Sequence, residues 1–290
     1  MSAAIRSHFP DVTLIENATN LGFAGGNNIG IRYALKTDAT HLFLLNNDTE
    51  VDPQCLTAFL HHFREHPEAG IVGGKIHLWK ERNTLDHWGG LWNPKTARFD
   101  LLGLGAPATT PPPQELDYVC GAALIAPRAI WETVGLFEER FFLIWEESDF
   151  CFRAKKQGIA IQSCPEAKLW HKVSASFVGK PHTAYFWCRN RLLWIARNCS
   201  AKERRRLYLR VLLPEGAHLL KIYCLKNLQW KIRRKIVPHE ALEAQAQNLR
   251  KNRAALQGIF DYYRGRFGNA PSWIYNQKGS APFRGNRSNN

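Results

Sequence analysis

The stretch Leu42 to Val51, Leu-Phe-Leu-Leu-Asn-Asn-Asp-Thr-Glu-Val, constrains the fold more than any other. Four apolar residues without alternation predict a central strand buried on both faces, and the run stops abruptly at Asn46-Asn47-Asp48, where polar side chains must emerge into a loop. A carboxylate is thereby presented at the carboxyl end of a strand. In open α/β sheets ligands bind at that edge, so Asp48 is placed to hold a cation or a phosphate-bearing molecule. The alternative is a turn aspartate bonded to its own backbone.

Around this stretch the chain alternates strand and helix signals. Val12 to Glu16 is a short strand candidate, Asn17 to Asn20 a turn, and Asn20 to Asn28 a glycine-rich loop running into a helix from Ile29 to Leu35. Small residues in such a loop let backbone amides approach a phosphate or sugar closely, although glycines also serve plain turns. Strand, loop, helix, strand is the order of a parallel α/β unit. Pro53 to His66 predicts a helix with Leu56, Phe59, Leu60 and Phe63 on its core face. Gly70 to Ile76, Tyr118 to Ala126 and Ile159 to Gln162 predict strands, and Arg128 to Val134 a short helix ending at Gly135. Between them, His77 to Gly105 is irregular and Ala106 to Pro113 is an extended proline-rich loop.

A second polar cluster follows Leu136-Phe-Glu-Glu-Arg-Phe-Phe-Leu-Ile-Trp145, where Glu146, Glu147 and Asp149 lead into a helix from Phe150 to Gln157. Asp149 stands where an N-cap belongs, and capping is its plain structural role. Adjacent carboxylates after an apolar run repel one another unless a proton or a cation is shared. His171, in Ala167-Lys-Leu-Trp-His-Lys-Val-Ser-Ala-Ser176, is a single histidine that either satisfies a local hydrogen bond or serves as a ligand.

The charge balance asks for an anionic partner: the net charge is +14, and the segment Arg197 to Lys235 holds twelve Lys/Arg against two Glu, ten of those fourteen charges. Apolar patches such as Leu207-Tyr-Leu and Leu219-Leu-Lys-Ile-Tyr interleave with the cations, which suits a helix lying in the headgroup layer of an anionic membrane. A helical appendage with a solvated basic face is the alternative. Glu240 to Tyr263 predicts a further amphipathic helix and Gly268 to Asn290 a disordered end. Seven scattered cysteines without a Cys-x-x-Cys pair argue for reduced thiols in a cytosolic setting, and no window has the apolar length of a membrane span.

Jointly, Asn20-Leu-Gly-Phe-Ala-Gly-Gly-Asn-Asn-Ile-Gly30, Leu45-Asn-Asn-Asp-Thr-Glu-Val51, Cys120-Gly-Ala-Ala, Val134-Gly-Leu-Phe, Trp145-Glu-Glu-Ser-Asp-Phe-Cys-Phe-Arg153 and Trp170-His171 resemble the family 2 glycosyltransferases of the GT-A fold, especially their rhamnosyltransferase-like bacterial branch. The resemblance spans roughly residues 10 to 200 with the motifs in order, and Arg189-Asn190 and Gly258-Ile-Phe-Asp261 resemble the helical tails of that branch. It implies an α/β GT-A (Rossmann-like) mixed sheet flanked by helices over residues 1–180, a membrane-associating helical extension over 181–268 and a tail over 269–290.

The resemblance also implies inverting transfer of a sugar from a nucleotide-diphosphate donor to a hydroxyl of a glycan or lipid-linked acceptor. Asp48 matches the acidic metal motif and His171 the distal histidine that joins it on Mn²⁺ or Mg²⁺. Asn20, Gly22, Gly25, Gly26, Asn28, Asn47 and Asp48 fall in the donor-binding motifs. Glu147 matches the general base; Glu146 and Asp149 would raise its proton affinity, and the assignment among the three stays open. The chain starts after the strand, helix and strand with which family members usually bind the base, either through a late start or as a remnant, and an exposed sheet edge is expected. The implied setting is the cytoplasmic face of a cell membrane, peripheral to it, in the building of lipid-linked or surface polysaccharide. Two other classes compete: a non-catalytic, membrane-associated binding protein, and a nucleic-acid binder, which is not expected because no fold of that kind is recognisable.

Overall fold

The apolar run ahead of Asp48 forms β1 (His41–Leu45), and β2 (Thr49–Val51) follows directly after the Asn46–Asp48 turn. The computed structural model describes residues 2–172, 179–234, 236–237 and 242–275. The chain divides into two units, one of Met1–Asn93 with Arg98–Val173 and the other of Pro94–Ala97 with Ser174–Asn290.

The first unit is built on β3 (Ala69–Leu78), buried almost throughout, with β6 (Ala123–Pro127) and β7 (Ala160–His171) on its two sides. The sheet is mixed: its order is β1-β6-β3-β7-β2, with β3 parallel to β7 and the other neighbours antiparallel. A separate hairpin pairs β4 (Gly89–Asn93) with β5 (Arg98–Leu102). Helices α2 (Gly22–Ala34), α3 (Cys55–Glu65), α4 (Arg128–Val134) and α5 (Glu146–Lys155) flank the large sheet, after a short α1 (Ser2–His8). Trp131 of α4 stacks on Phe150 of α5 with ring centroids 4.3 Å apart, and Phe137 meets both edge-on. Such aromatic pairs dominate the burial of a small core. The expected mixed α/β sheet flanked by helices is therefore present.

Several local expectations are corrected. β1 lies at the edge of the sheet, not its centre, and Leu45 is exposed. Val12 to Glu16 forms no strand: nothing pairs with the outer edge of β1 among the described residues, and the segment is instead tied to α1 by Arg6–Glu16 at 2.8 Å. The parallel unit expected there is consequently absent. The glycine-rich segment is helical from Gly22, because only Gly22 takes a left-handed φ, +70°, and the residues after it continue as α2. On α3, Phe59 packs inward while Leu56 and Leu60 are on the outer side, so the apolar face is one row narrower than the spacing suggested. Asp149 lies inside the first turn of α5 rather than at its cap, which is Trp145.

In the second unit, α6 (Pro181–Asn198) packs on α9 (Glu243–Tyr263), with α7 (Ala201–Leu207), a π-helical turn (Tyr208–Leu212), α8 (Leu213–Arg233) and a short α10 (Ser272–Tyr275) completing it. Gly258 permits the α6–α9 contact, since a Cβ there would meet Tyr185 O at 2.3 Å. Beside it, Tyr185 Oη donates to Asp261 Oδ2 at 2.8 Å, Gln257 Nε2 to Asp261 Oδ1 at 2.9 Å, and buried Arg189 to Gly268 O at 2.7 Å. Gly268 to Tyr275 is thus ordered, with Ile274 buried, where disorder was expected; residues 276–290 lie outside the described ones, as does Glu240. α8 has no buried residue, and Leu213, Leu220, Leu225, Leu228 and Ile232 are each more than half exposed. Among the described residues no helix is long and apolar enough to cross a membrane.

Candidate active site

Strand register brings Asp48 and His171 together. β2 begins one residue after Asp48 and pairs with the end of β7 so that Thr49 faces His171, while Lys172 N donates to Asp48 O at 2.9 Å. β7 reaches this register through a bulge: Gly74 of β3 pairs with Cys164 and Lys75 with Lys168, which leaves Pro165 to Ala167 as extra residues. His171 Nε2 is 3.3 Å from Asp48 Oδ1. On the opposite side of the ring, Nδ1 is 3.4 Å from Asp86 Oδ2. Asp86 is delivered by the Thr84–Asp86 segment, which folds against the end of β3 through Asp86 N donating to Ile76 O at 2.8 Å. Burial alone would lower the proton affinity of His171; the bond to Asp86 and the charge of Asp48 overcome it and raise the pKa above the usual histidine value.

Asp48 and Asp86 sit on different ring nitrogens, so the three cannot close around one ion, and among the described residues no three His, Cys, Asp or Glu side chains are arranged to do so. Asp48 and His171 alone do fit as a pair of ligands. Neighbouring ligands on an octahedral cation with bonds of about 2.1 Å stand ~3 Å apart, near the observed 3.3 Å. A carboxylate with an imidazole accommodates Mn²⁺ or Mg²⁺, the nitrogen favouring Mn²⁺, provided that a bound diphosphate or water completes the shell.

The carboxylates of α5 are presented by an unusual turn. Phe142, Ile144 and Trp145 all take left-handed φ values of 64°, 71° and 82°, a strained run ending at the cap of the helix. Left-handed backbone costs non-glycine residues roughly 1–3 kcal/mol each and clusters at functional sites. Glu146 is 3% exposed, and Oε2 of both Glu146 and Glu147 is buried without a hydrogen-bond partner. Burial pushes Glu146 well above the usual carboxylate range, with the Glu147 charge adding to it. Glu147 is raised too, by burial, but backbone N–H groups at the helix start pull it back. Glu147 faces the β6 entry, where Gly121 lacks the Cβ that would sit 3.2 Å from Phe23 and 3.5 Å from Glu147 Cβ. Burial pushes the Tyr118 hydroxyl and the Cys120 thiol well up, and the charges of Glu147 and Asp86 add to it.

Other predicted site residues turn out to be clamps. Asp149 is fully buried and paired with Arg153 at 3.0 Å, and Arg153 in turn donates to Val134 O and to Leu136 O at 2.7 Å. The pair ties α5 to the end of α4. Asn28 is buried, its amide donating to Phe137 O at 2.9 Å and to Glu139 Oε1 at 2.9 Å while accepting from Phe137 N at 3.0 Å. Val134-Gly-Leu-Phe137 is therefore the bracket that joins α2 to α5. Asn20 Oδ1 accepts from Gly22 N at 2.9 Å and so starts α2, and Gly25 is buried against Leu21. Gly22 and Gly26 remain on the surface of a groove of about 600 Å³ between α2 and the open edge of β1, and Asn47 is exposed in the turn beside Asp48. Asp86 escaped sequence reasoning because its stretch carries no periodicity; only the pairing of that stretch against β3 brings it to His171.

Residues 1–196 match the family described as glycosyltransferase like family 2. Among curated proteins, the low-salt glycan biosynthesis hexosyltransferase Agl10 of Haloferax volcanii is 27% identical over 188 residues, covering 63% of this chain and 60% of that protein. The dTDP-rhamnosyl transferase RfbF of Shigella flexneri is 23% identical over 197 residues, 64% of each. The chain spans less than two thirds of the length of these relatives. Among solved structures, GalNAc-T7 crystallised with UDP, GalNAc and Mn²⁺ superposes with a TM-score of 0.47 at 15% identity, over 59% of this chain and 33% of that one. A likeness this remote says nothing of ligands. The family match takes in more than half of the chain and every element that carries Asp48, Glu147 and His171: the chain belongs to the glycosyltransferase like family 2.

Proposed function

We propose that the chain moves a sugar from a nucleotide-diphosphate donor to a hydroxyl of a glycan or lipid-linked acceptor, with inversion at the anomeric carbon and Glu147 as general base. The observation that carries this is the 3.3 Å approach of Asp48 to His171, together with Glu147 at the start of α5, whose Oε2 is buried without a hydrogen-bond partner. Mn²⁺ or Mg²⁺ held by Asp48 and His171 would neutralise the charge that builds on the departing diphosphate. Gly22 and Gly26 border the donor on the groove beside β1, where neither brings a side chain of its own, and Asn47 borders it from the turn at Asp48. Glu147 takes the acceptor proton; burial gives it a proton affinity suited to work nearer neutral pH than an ordinary carboxylate. Glu146 stays protonated beside it and spares the helix start a second charge. Asp86 acts through His171: by accepting from Nδ1 it turns Nε2 toward Asp48 and fixes the tautomer that can bind a cation.

The outer face of α8 supports a peripheral place on the anionic cytoplasmic face of a cell membrane. Its exposed Leu213, Leu220 and Leu228 share one side of the helix, and Lys221, Lys226 and Lys231 are spaced along it. Among the described residues nothing pairs with the outer edge of β1, and this supports a second reading, a non-catalytic binding protein. Calorimetry with a panel of UDP- and dTDP-sugars in the presence of Mn²⁺ separates the two. Transfer requires saturable donor binding that weakens at least tenfold in Asp48→Ala; no binding of any nucleotide diphosphate leaves the non-catalytic reading.

A further inference from the structure

We propose that the helical unit holds one phosphate-bearing membrane lipid, with an acyl chain in the groove between α6, the π-helical turn and the end of α9, and the phosphate on Arg204 and Arg205. The groove has a volume of about 450 Å³, within the range of small-molecule sites. Its wall is apolar, formed by Leu192, Ile195, Leu209 and Leu212, and Ala196 leaves space where a larger side chain would fill it. Tyr208 and Tyr263 stand beside this wall, each more than a third exposed, as aromatic residues do where an apolar body meets water.

Charge selects the occupant. Among the described residues Arg204 makes one long bond, 3.4 Å to Ala196 O, and no carboxylate pairs with Arg205. The two acids of the Arg197–Lys235 segment are engaged elsewhere: Glu203 accepts from Ser200 in the cap of α7, at 2.6 Å and 2.8 Å, and Glu215 pairs with Arg191. Two adjacent guanidiniums without a counter-charge among the described residues, next to an apolar groove, complement an amphiphilic anion, and their forked donors match phosphate oxygens. Local geometry agrees: Tyr208–Leu212 is π-helical, an uncommon backbone state that gathers at functional sites, and it places Tyr208, Leu209 and Leu212 on the groove together.

This site rests on the membrane reading given above, yet it is separable from it, because α8 would meet the bilayer as a surface whereas the groove takes a single molecule. The test uses dihexanoylphosphatidic acid below its micelle concentration, titrated calorimetrically into the full chain, with dihexanoylphosphatidylcholine and inorganic phosphate as controls. Expected is saturable binding of the phosphatidic acid at least tenfold tighter than either control, weakened at least tenfold by Ala196→Trp, which fills the groove, and by Arg204→Gln/Arg205→Gln. Leu209→Gln, at a half-exposed position that folding tolerates, checks the groove if Ala196→Trp fails to fold. Leu220→Asp/Leu228→Asp on α8 should abolish sedimentation with anionic vesicles and leave the short-chain lipid bound. Equal binding of inorganic phosphate, equal binding of the zwitterionic lipid, or binding insensitive to the groove variants overturns the site. Loss of vesicle binding in none of the variants overturns the membrane reading instead.

Discussion

Glu146 and Glu147 are neighbours in sequence, and burial raises the proton affinity of both, with the Glu147 charge raising Glu146 further. The fold favours neutral Glu146, so its contribution to stability is full below the ordinary glutamate pKa and is lost as pH rises through the raised value of the folded state. Glutamine is neutral throughout. Glu146→Gln should therefore melt above the wild type at pH 8, by an amount corresponding to roughly 1–3 kcal/mol of relieved burial, with the gap closing towards pH 4 in thermal scans. A second expectation concerns His171. Replacing Asp86 by Asn removes the charge that fixes the ring, and the Mn²⁺ affinity, read by electron paramagnetic resonance titration, should fall about 10–100-fold. The affinity of the unaltered protein should also fall on acidification, since protonating His171, whose pKa is raised, blocks its ligand nitrogen.

Asp48 and His171 were legible as residues before any coordinates, because one ends an apolar strand and both sit in motifs of one family. Asp86 and Asn28 were not. Which carboxylate reaches the far nitrogen of His171, and whether an asparagine in a glycine-rich segment faces a ligand or a loop on another helix, depends on strand register and on pairing across 109 residues of sequence. Local pattern carries neither. Asp149 illustrates the same limit, since its partner Arg153 was visible one turn away but the carbonyls of Val134 and Leu136 that lock Arg153 were not.

At the scale of elements, helices closed by their own signals were the easiest to read. α4 runs over the residues predicted, Arg128–Val134, because Gly135 at φ 82° ends it. Strands were harder. The apolar run of β1 predicts a central strand, and its edge position follows from which strands pair with it, a property of the whole sheet. The α6–α9 contact depends on one atom that is missing. Gly258→Val would drive two methyl groups into the backbone of α6 and should cost about 1–3 kcal/mol, measured as a lower unfolding midpoint in denaturant, with α9 loosened first in hydrogen exchange.

At the scale of the molecule, charge and chemistry fall on different units. The first unit carries Asp48, Glu147 and His171, whereas ten of the fourteen net positive charges lie in Arg197–Lys235, within the second. This division leaves the unit that carries the carboxylates unaltered in α8 variants. The central claim is that Glu147, and neither Glu146 nor Asp149, takes the acceptor proton. It is tested most directly by the steady-state rate of sugar transfer from a nucleotide-diphosphate sugar with Mn²⁺, compared between the wild type and Glu147→Gln with donor affinity measured alongside. Expected is a rate lowered about 10²–10⁴-fold at unchanged donor affinity. An equal rate in Glu147→Gln would contradict the assignment.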